Sequence, residues 1–256
     1  MADTIVRNIE EMKTMDNLRR ELVANVSHDL RTPLATIQGY IETIMMKADT
    51  LSDAERKSYL ETIFRSTERL KNLVEELFEL SKLEARESNP NPEPFSIAEL
   101  VQDVQQKNLI IAKPNNIDLS LKFPFDLPLV TADIGMMEKV LQNLLDNALK
   151  FTPDGGKITI SLVPQKDDVL VSIKDDGQGI SPDALPHIFE RYQKAERTSS
   201  VDNEGLGLGL AIVKKILEVH EINIDVKSTK DTGTVFSFKV PIFNAKQKIE
   251  NKFEYS

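Results

Sequence analysis

Between about Val6 and Glu87 the apolar residues recur at every third or fourth position. Leu22, Val26, Leu30, Leu34, Ile37, Ile41 and Ile44 form one such stripe, the signature of an amphipathic helix. A polar break from Lys47 to Asp53 follows. Within it Ser52 and Glu55 have the spacing of a capping box, which predicts the start of a second helix. That helix repeats Leu60, Ile63, Thr67, Leu70, Val74 and Leu77, and Phe64, Leu73 and Leu80 widen the stripe. Two helices of roughly 30–40 residues with a short connection predict an antiparallel hairpin. Stripes this wide exceed what one hairpin can bury, so the pattern predicts a homodimer in which two chains form a four-helix bundle.

A different grammar begins after the segment Glu87-Ser-Asn-Pro-Asn-Pro-Glu-Pro94. Its prolines cannot continue a helix and favour an extended, stiff connection. The expected organisation is therefore a helical hairpin over 1–88, a linker over 89–94, a second domain over 95–243 and a polar tail over 244–256. Within the second domain the pattern predicts a helix over 97–111, a strand over 117–123 and a longer helix over 133–151. Strands over 157–163 and 169–174, a helix over 209–220, and strands over 222–228 and 234–240 complete the expectation. Strands and helices mixed within about 150 residues suggest a sheet with helices packed on one face.

Composition narrows the chemistry. Acidic residues outnumber basic ones, 41 to 32, for a net charge of −9, which argues against a general grip on nucleic acid. Cysteine is absent, removing disulfides, thiolate metal sites and cysteine nucleophiles, and this suits a reducing cytoplasm. No stretch approaches the roughly 18 consecutive apolar residues of a membrane span, so no direct membrane contact is expected. The helical pattern reaching back to Val6 nevertheless predicts a further module upstream, with or without a membrane anchor. Glycine is scarce and localised: eight of 10 lie between Gly155 and Gly233. Such a concentration points to unusual φ angles or close backbone approach in that region.

His28 stands out in the first half. It follows Val26 and precedes Leu30, both on the apolar stripe, so at about 100° per residue it points roughly 200° from the buried direction. Asp29 follows it, Thr32 lies one helical turn on, and Pro33 removes a backbone hydrogen bond just beyond. The string Ser27-His28-Asp29-Leu30-Arg31-Thr32-Pro33-Leu34 resembles the phospho-acceptor box of sensor histidine kinases. That resemblance implies that His28 is the nucleophile toward the γ-phosphate of ATP and that Asp29 polarises its imidazole. Thr32 matches the position that orients water for dephosphorylation of the partner in bifunctional members.

In the second half Asn143, Asn147 and Lys150 share one helix face by their spacing, which makes that face either simply solvated or a holder of metal and phosphate. Asp175-Asp176-Gly177-Gln178-Gly179 follows a β-run and is either an ordinary turn or a carboxylate placed for an adenine amino group. Gly205, Gly207 and Gly209 lead into a helix whose N-terminus could receive phosphate, although the spacing is not the dinucleotide fingerprint. Between these motifs the polar stretch 191–204 reads as a lid.

In this order the segments resemble the ATP-binding domain shared by histidine kinases, gyrase-type ATPases, Hsp90-like chaperones and mismatch-repair ATPases, an α/β sandwich of mixed sheet and helices. The resemblance implies Mg²⁺ on Asn147 and adenine on Asp175. It places Lys150, Arg191 and Lys194 on phosphates, and assigns Asn143 and Phe151 to the nucleotide site. Gly177, Gly179, Gly205, Gly207 and Gly209 would frame the nucleotide, and Phe189 would anchor the lid. Lys194 stands where many members have arginine, which keeps the charge and loses the bidentate fork. His220-Glu-Ile-Asn replaces the usual His-Gly-Gly turn, and His220 and His187 are expected to be structural. Asn143 occupies the site of the water-activating glutamate of the ATPase relatives, and an amide is no base. The expected protein is thus the core of a sensor histidine kinase, a protein-histidine kinase using ATP and Mg²⁺. Its expected partner is the receiver domain of a response regulator, whose aspartate takes the phosphoryl group.

Overall fold

The computed structural model describes residues 26–84, 89–191 and 207–244, and Glu84 in its backbone only. The chain divides into two compact units, Met1–Phe78 and Glu79–Ser256, with the division inside the second helix.

The first unit contains helix α1, described over 26–46, and most of α2, Asp53–Glu84. The connection is fastened by the predicted capping box. The Ser52 N–H donates to Glu55 Oε2 at 2.9 Å, and the Glu55 N–H donates back to Ser52 Oγ at 3.3 Å. The Ser52 hydroxyl, which donates to Glu55 Oε2 at 2.6 Å, and then the Ser52 N–H hold the Glu55 carboxyl below its ordinary pKa. Arg56 also reaches back over the turn to the Ala48 carbonyl, 2.9 Å away, and Tyr40 of α1 packs on Tyr59 of α2 with ring centres 5.1 Å apart. The expected stripe is only partly covered within one chain. Leu73 is buried, whereas Leu34, Ile41, Leu60, Phe64 and Val74 are all exposed.

The second unit is a sandwich. Strands β2 (Asp118–Lys122), β4 (Lys157–Pro164), β5 (Asp168–Asp175), β6 (Ile224–Thr229) and β7 (Gly233–Pro241) make a sheet in the order β2-β4-β5-β7-β6. Only β2 and β4 run parallel, so the sheet is mixed as expected. Alternation decides its faces. Ile158, Ile160 and Leu162 of β4, and Val169, Val171 and Ile173 of β5, are buried under the helices, while intervening residues are partly open. Helices α3 (Ile97–Ala112), α4 (Ile134–Phe151) and α5 (Gly209–Val219) cover that face. Two of them start on side-chain caps: Ser96 accepts from the Glu99 N–H and Asp133 from the Met136 N–H. The outer strand β6 turns Asp225 and Lys227 to solvent, charges that discourage edge-to-edge pairing.

One expectation needs correction. The proline-rich segment read as linker to Pro94 gives its last two residues to a strand, β1 (Glu93–Phe95), paired antiparallel with β3 (Val130–Ala132). Pro94 is tolerated because this ribbon has two strands only, leaving an edge where no donor is required. Asn91, still closer to the hairpin, donates its N–H to Asp133 Oδ2 at 3.0 Å. Neither short strand carries an alternation long enough to read from sequence. The remaining predicted elements of the second unit recur with ends shifted by a residue or two, as helix and strand ends do, while the predicted start of α1 near Val6 lies outside the described residues.

Candidate active site

His28 sits on α1 with its side chain 76% exposed, on the outward side that the stripe predicts. Its Nδ1 lies 3.1 Å from Asp29 Oδ1, and Asp29 is buried. A buried carboxylate beside Nδ1 favours the tautomer with the proton on that nitrogen, leaving the Nε2 lone pair directed outward. Thr32 donates its hydroxyl to the His28 carbonyl at 3.3 Å, and Pro33, which is buried, withdraws the next backbone donor. The hydroxyl expected to orient water is thus engaged with the backbone.

The second cluster is assembled around α4 and the β5–β7 pair. Asp175 closes β5 and is buried; its Oδ1 accepts from the Gly177 N–H at 2.9 Å and the Thr234 N–H at 3.2 Å. Burial pushes the Asp175 carboxyl above its ordinary pKa, with those two bonds opposing the shift and Asp176 adding to it. With Oδ1 so engaged, Oδ2 is the oxygen left for a ligand donor. Thr234 lies in the segment Gly233-Thr-Val-Phe236, which resembles the family's terminal glycine segment, but its contact with Asp175 spans 59 positions and was not legible from the motifs.

The glycines have a sharper reason than expected. A Cβ on Gly177 would lie 2.6 Å from the Phe151 carbonyl oxygen at the end of α4. Gly233, at φ +115°, would place one 2.0 Å from the Asp175 carbonyl oxygen. These residues admit protein backbone, so their first task is to bring α4, β5 and β7 together around Asp175. The turn is pinned further: the Gln178 N–H donates to the Phe151 carbonyl at 3.3 Å and the Ile180 N–H to Ser228 Oγ at 2.8 Å.

Along α4, Asn143 and Asn147 part company. Asn143 donates to the Lys139 carbonyl at 3.0 Å, and its Oδ1 sits against Gly209, where a Cβ would come within 2.9 Å. It joins α4 to the start of α5. Asn147 is half-buried, and its amide takes no partner among the described residues. Lys150 Nζ lies 5.3 Å from the ring centre of Phe151. Helix α5 begins at Gly209 without a side-chain cap, after Gly207 at φ +68°, so its first N–H groups remain available to an anion. Phe189 packs edge-on against Phe236 of β7, with centres 6.3 Å apart. Arg191 is exposed, and Lys194, Gly205 and most of the expected lid lie outside the described residues.

The other histidines are structural, as expected. His220 Nδ1 bonds the Ile216 carbonyl at 2.8 Å and Nε2 accepts the Asp133 N–H at 3.1 Å, tying α5 to the start of α4. His187 pairs with Glu190 at 2.7 Å.

A buried carboxylate on β5, a free amide on α4 and an uncapped start of α5 are groups an adenine nucleotide can use, and comparison with known proteins points to a nucleotide-binding fold. Residues 132–244 match the family model of the histidine kinase-, DNA gyrase B-, and HSP90-like ATPases, and residues 18–86 that of the His Kinase A (phospho-acceptor) domain. The sensor protein SrrB of Staphylococcus aureus is 35% identical over 237 residues, 92% of this chain and 40% of the relative. The sensor protein KdpD of Clostridium acetobutylicum is 35% identical over 226 residues, 88% of this chain and 25% of the relative. The chain therefore spans well under half the length of these curated relatives. The histidine kinase ThkA, solved in complex with the response regulator protein TrrA, superposes with a TM-score of 0.69 at 29% identity. That match covers 93% of this chain and 66% of the other. The chain belongs to the sensor histidine kinases and carries their phospho-acceptor and ATP-binding domains in that order.

Proposed function

We propose that this chain is the catalytic core of a two-component sensor. It binds Mg·ATP on the second unit, phosphorylates His28, and passes the phosphoryl group to an aspartate of a response-regulator receiver domain. The observation that carries the reading is His28 itself: an exposed imidazole whose Nδ1 is held by a buried carboxylate, in the same chain as a nucleotide fold.

The chemistry follows from the geometry. With Nδ1–H donated to Asp29, Nε2 attacks the γ-phosphorus. The Nε2–P bond forms as the bond to the β,γ-bridging oxygen breaks, and ADP leaves. Positioning and charge neutralisation supply most of the acceleration in such transfers. Asp175 Oδ2 accepts from the adenine amino group, the α5 N-terminus faces phosphate, and Lys150 offsets charge.

Mg²⁺ fits the donors present. Asn147 offers a free amide oxygen, and among the described residues no cluster of three His, Cys, Asp or Glu could hold a metal. Such a cation would be held through phosphate oxygens and water with Asn147 as protein anchor, which suits a hard ion reluctant to dehydrate. When bound it would neutralise phosphate charge. Asn143, engaged with Lys139 and Gly209, supplies no base for water, so transfer to His28 is favoured over steady hydrolysis.

A second copy of the chain covers the exposed stripe of Leu34, Ile41, Leu60, Phe64 and Val74 in a four-helix bundle. No described helix is long and apolar enough to cross a membrane, and placement in the cytoplasm beneath an upstream sensor is part of this reading.

Incubation with γ-labelled ATP and Mg²⁺ tests it. The expected product is an acid-labile, base-stable label on the chain that is abolished in His28→Ala. Equal labelling of His28→Ala would overturn the assignment.

A further inference from the structure

Helices α3 and α4 pack on each other, and their buried residues are mostly apolar, with Leu100, Val101 and Val104 on α3 and Leu141, Leu144 and Leu145 on α4. One residue breaks the apolar pattern. Asn108, only 1% exposed, donates Nδ2 to the Val104 carbonyl at 2.8 Å and to Gln142 Oε1 at 3.0 Å. Gln142 answers with Nε2, 3.1 Å from Asn108 Oδ1 and 2.7 Å from Asp146 Oδ1. A reciprocal amide pair thus crosses the helix interface and runs out along α4 to a carboxylate adjacent to Asn147.

A leucine at 108 would bury its surface without needing partners, so stability alone does not explain the pair. Apolar contact has no direction and tolerates small rotations of one helix on another. Two amides that satisfy each other do so at one setting only. The setting matters because Asn147 and Lys150 project from the same helix. At a side-chain radius of about 6 Å, a rotation of about 20° would move their tips by about 2 Å. Displacements of about 1 Å at a reacting site can cost about 100-fold.

We propose that Asn108 and Gln142, extended by Asp146, are positioning residues that fix the rotation of α4 against α3 and so, above all, the aim of Asn147 at the metal of Mg·ATP. This rests on the nucleotide reading above. The seat of adenine on Asp175 belongs to β5 and β7 and does not depend on the pair.

The test uses the whole chain carrying Asn108→Leu with Gln142→Leu, and separately Gln142→Glu, which at a half-buried position keeps the fold while removing both Nε2 bonds. Titration calorimetry measures the affinity for ATP with Mg²⁺ and with excess chelator, alongside thermal unfolding. The double leucine variant should unfold at the same or a higher temperature, with Mg·ATP affinity lowered about tenfold or more and metal-free ATP affinity within about twofold of the parent. Gln142→Glu should show the same selective loss, and it carries the test alone if the double variant does not fold. Parental Mg·ATP affinity in either folded variant overturns the proposal. So does a parallel fall of both affinities with thermal stability, the mark of a merely structural pair. A parent chain that binds no Mg·ATP sinks the nucleotide reading and this inference together.

Discussion

The two units solve the burial problem in opposite ways. The sandwich has a closed core: Val140, Leu145, Val169 and Ile212 are wholly buried. The hairpin does not. Phe64 is 66% exposed, Leu34 56% and Leu60 53%, in a pattern that repeats along both helices. An apolar stripe left open over several turns is a surface prepared for another surface. The chemistry divides along the same line. The sandwich holds the groups proposed for the nucleotide in a frame of β5, β7 and α4 joined by hydrogen bonds and close backbone contacts, whereas the hairpin exposes a single imidazole and fixes only its tautomer. On the proposed function, an acceptor that must meet a phosphoryl donor and then a second protein would benefit from that exposure, and a nucleotide seat from enclosure.

The largest expected effect follows from this separation. His28→Ala should abolish phosphorylation completely while ATP affinity, measured on the same preparation, stays at the parental value; loss of both would show that the two units are not separable in function. Next comes Asp175→Asn. Burial raises this carboxyl's pKa, so the native state holds the proton more tightly than the unfolded chain does. The ionised form therefore opposes folding, and stability falls as pH rises from the unfolded pKa through the higher native one. The amide should leave the unfolding temperature at neutral pH unchanged or raised, yet weaken ATP binding roughly 100-fold, since a hydrogen bond to a charged group is worth about 1.5–3 kcal/mol. An unfolding temperature that drops sharply would instead make Asp175 a structural residue.

Smaller effects sharpen the contrast in burial. Gly233→Ala should destabilise the sandwich by about 2–3 kcal/mol, through positive φ and a Cβ driven into the Asp175 carbonyl, as read by chemical denaturation. Leu60→Asp combined with Phe64→Asp should cost the isolated hairpin little. By removing about 1.5–3 kcal/mol of burial per side chain it should weaken self-association roughly 100-fold or more in sedimentation experiments. Unchanged association would mean that the open stripe is not the dimer surface. The smallest change is Glu221→Gly. Glu221 sits at φ +58° after α5, where the family's usual turn has glycine, and relieving that strain should add about 1 kcal/mol to stability.

Much of this was legible before any coordinates. Periodicity placed α1 and α2, because a stripe of apolar residues at helical spacing has few other solutions, and the same arithmetic turned His28 outward. The Ser52–Glu55 box was visible because its partners are three residues apart. Strands β4 and β5 could be read from their alternation. By contrast β1 and β3, three residues each and one carrying a proline, hold too little pattern to register. The motifs marked Asp175 without pairing it with Thr234, and left Asn108 and Gln142 unmarked, since these contacts join segments far apart in the chain.

By itself the sequence determined which residues could do chemistry and which elements would carry them, because helical and strand periods, caps and short motifs are local properties of the chain. Only the tertiary structure decided what each candidate faces. It turned Asn143 toward Gly209 and left Asn147 free. It assigned the glycines to admitting neighbouring backbone, and it set an amide pair in an apolar interface. The physical reason is that hydrogen-bond partners and steric limits at these positions come from segments far apart in the chain, and those meet only when the sheet closes.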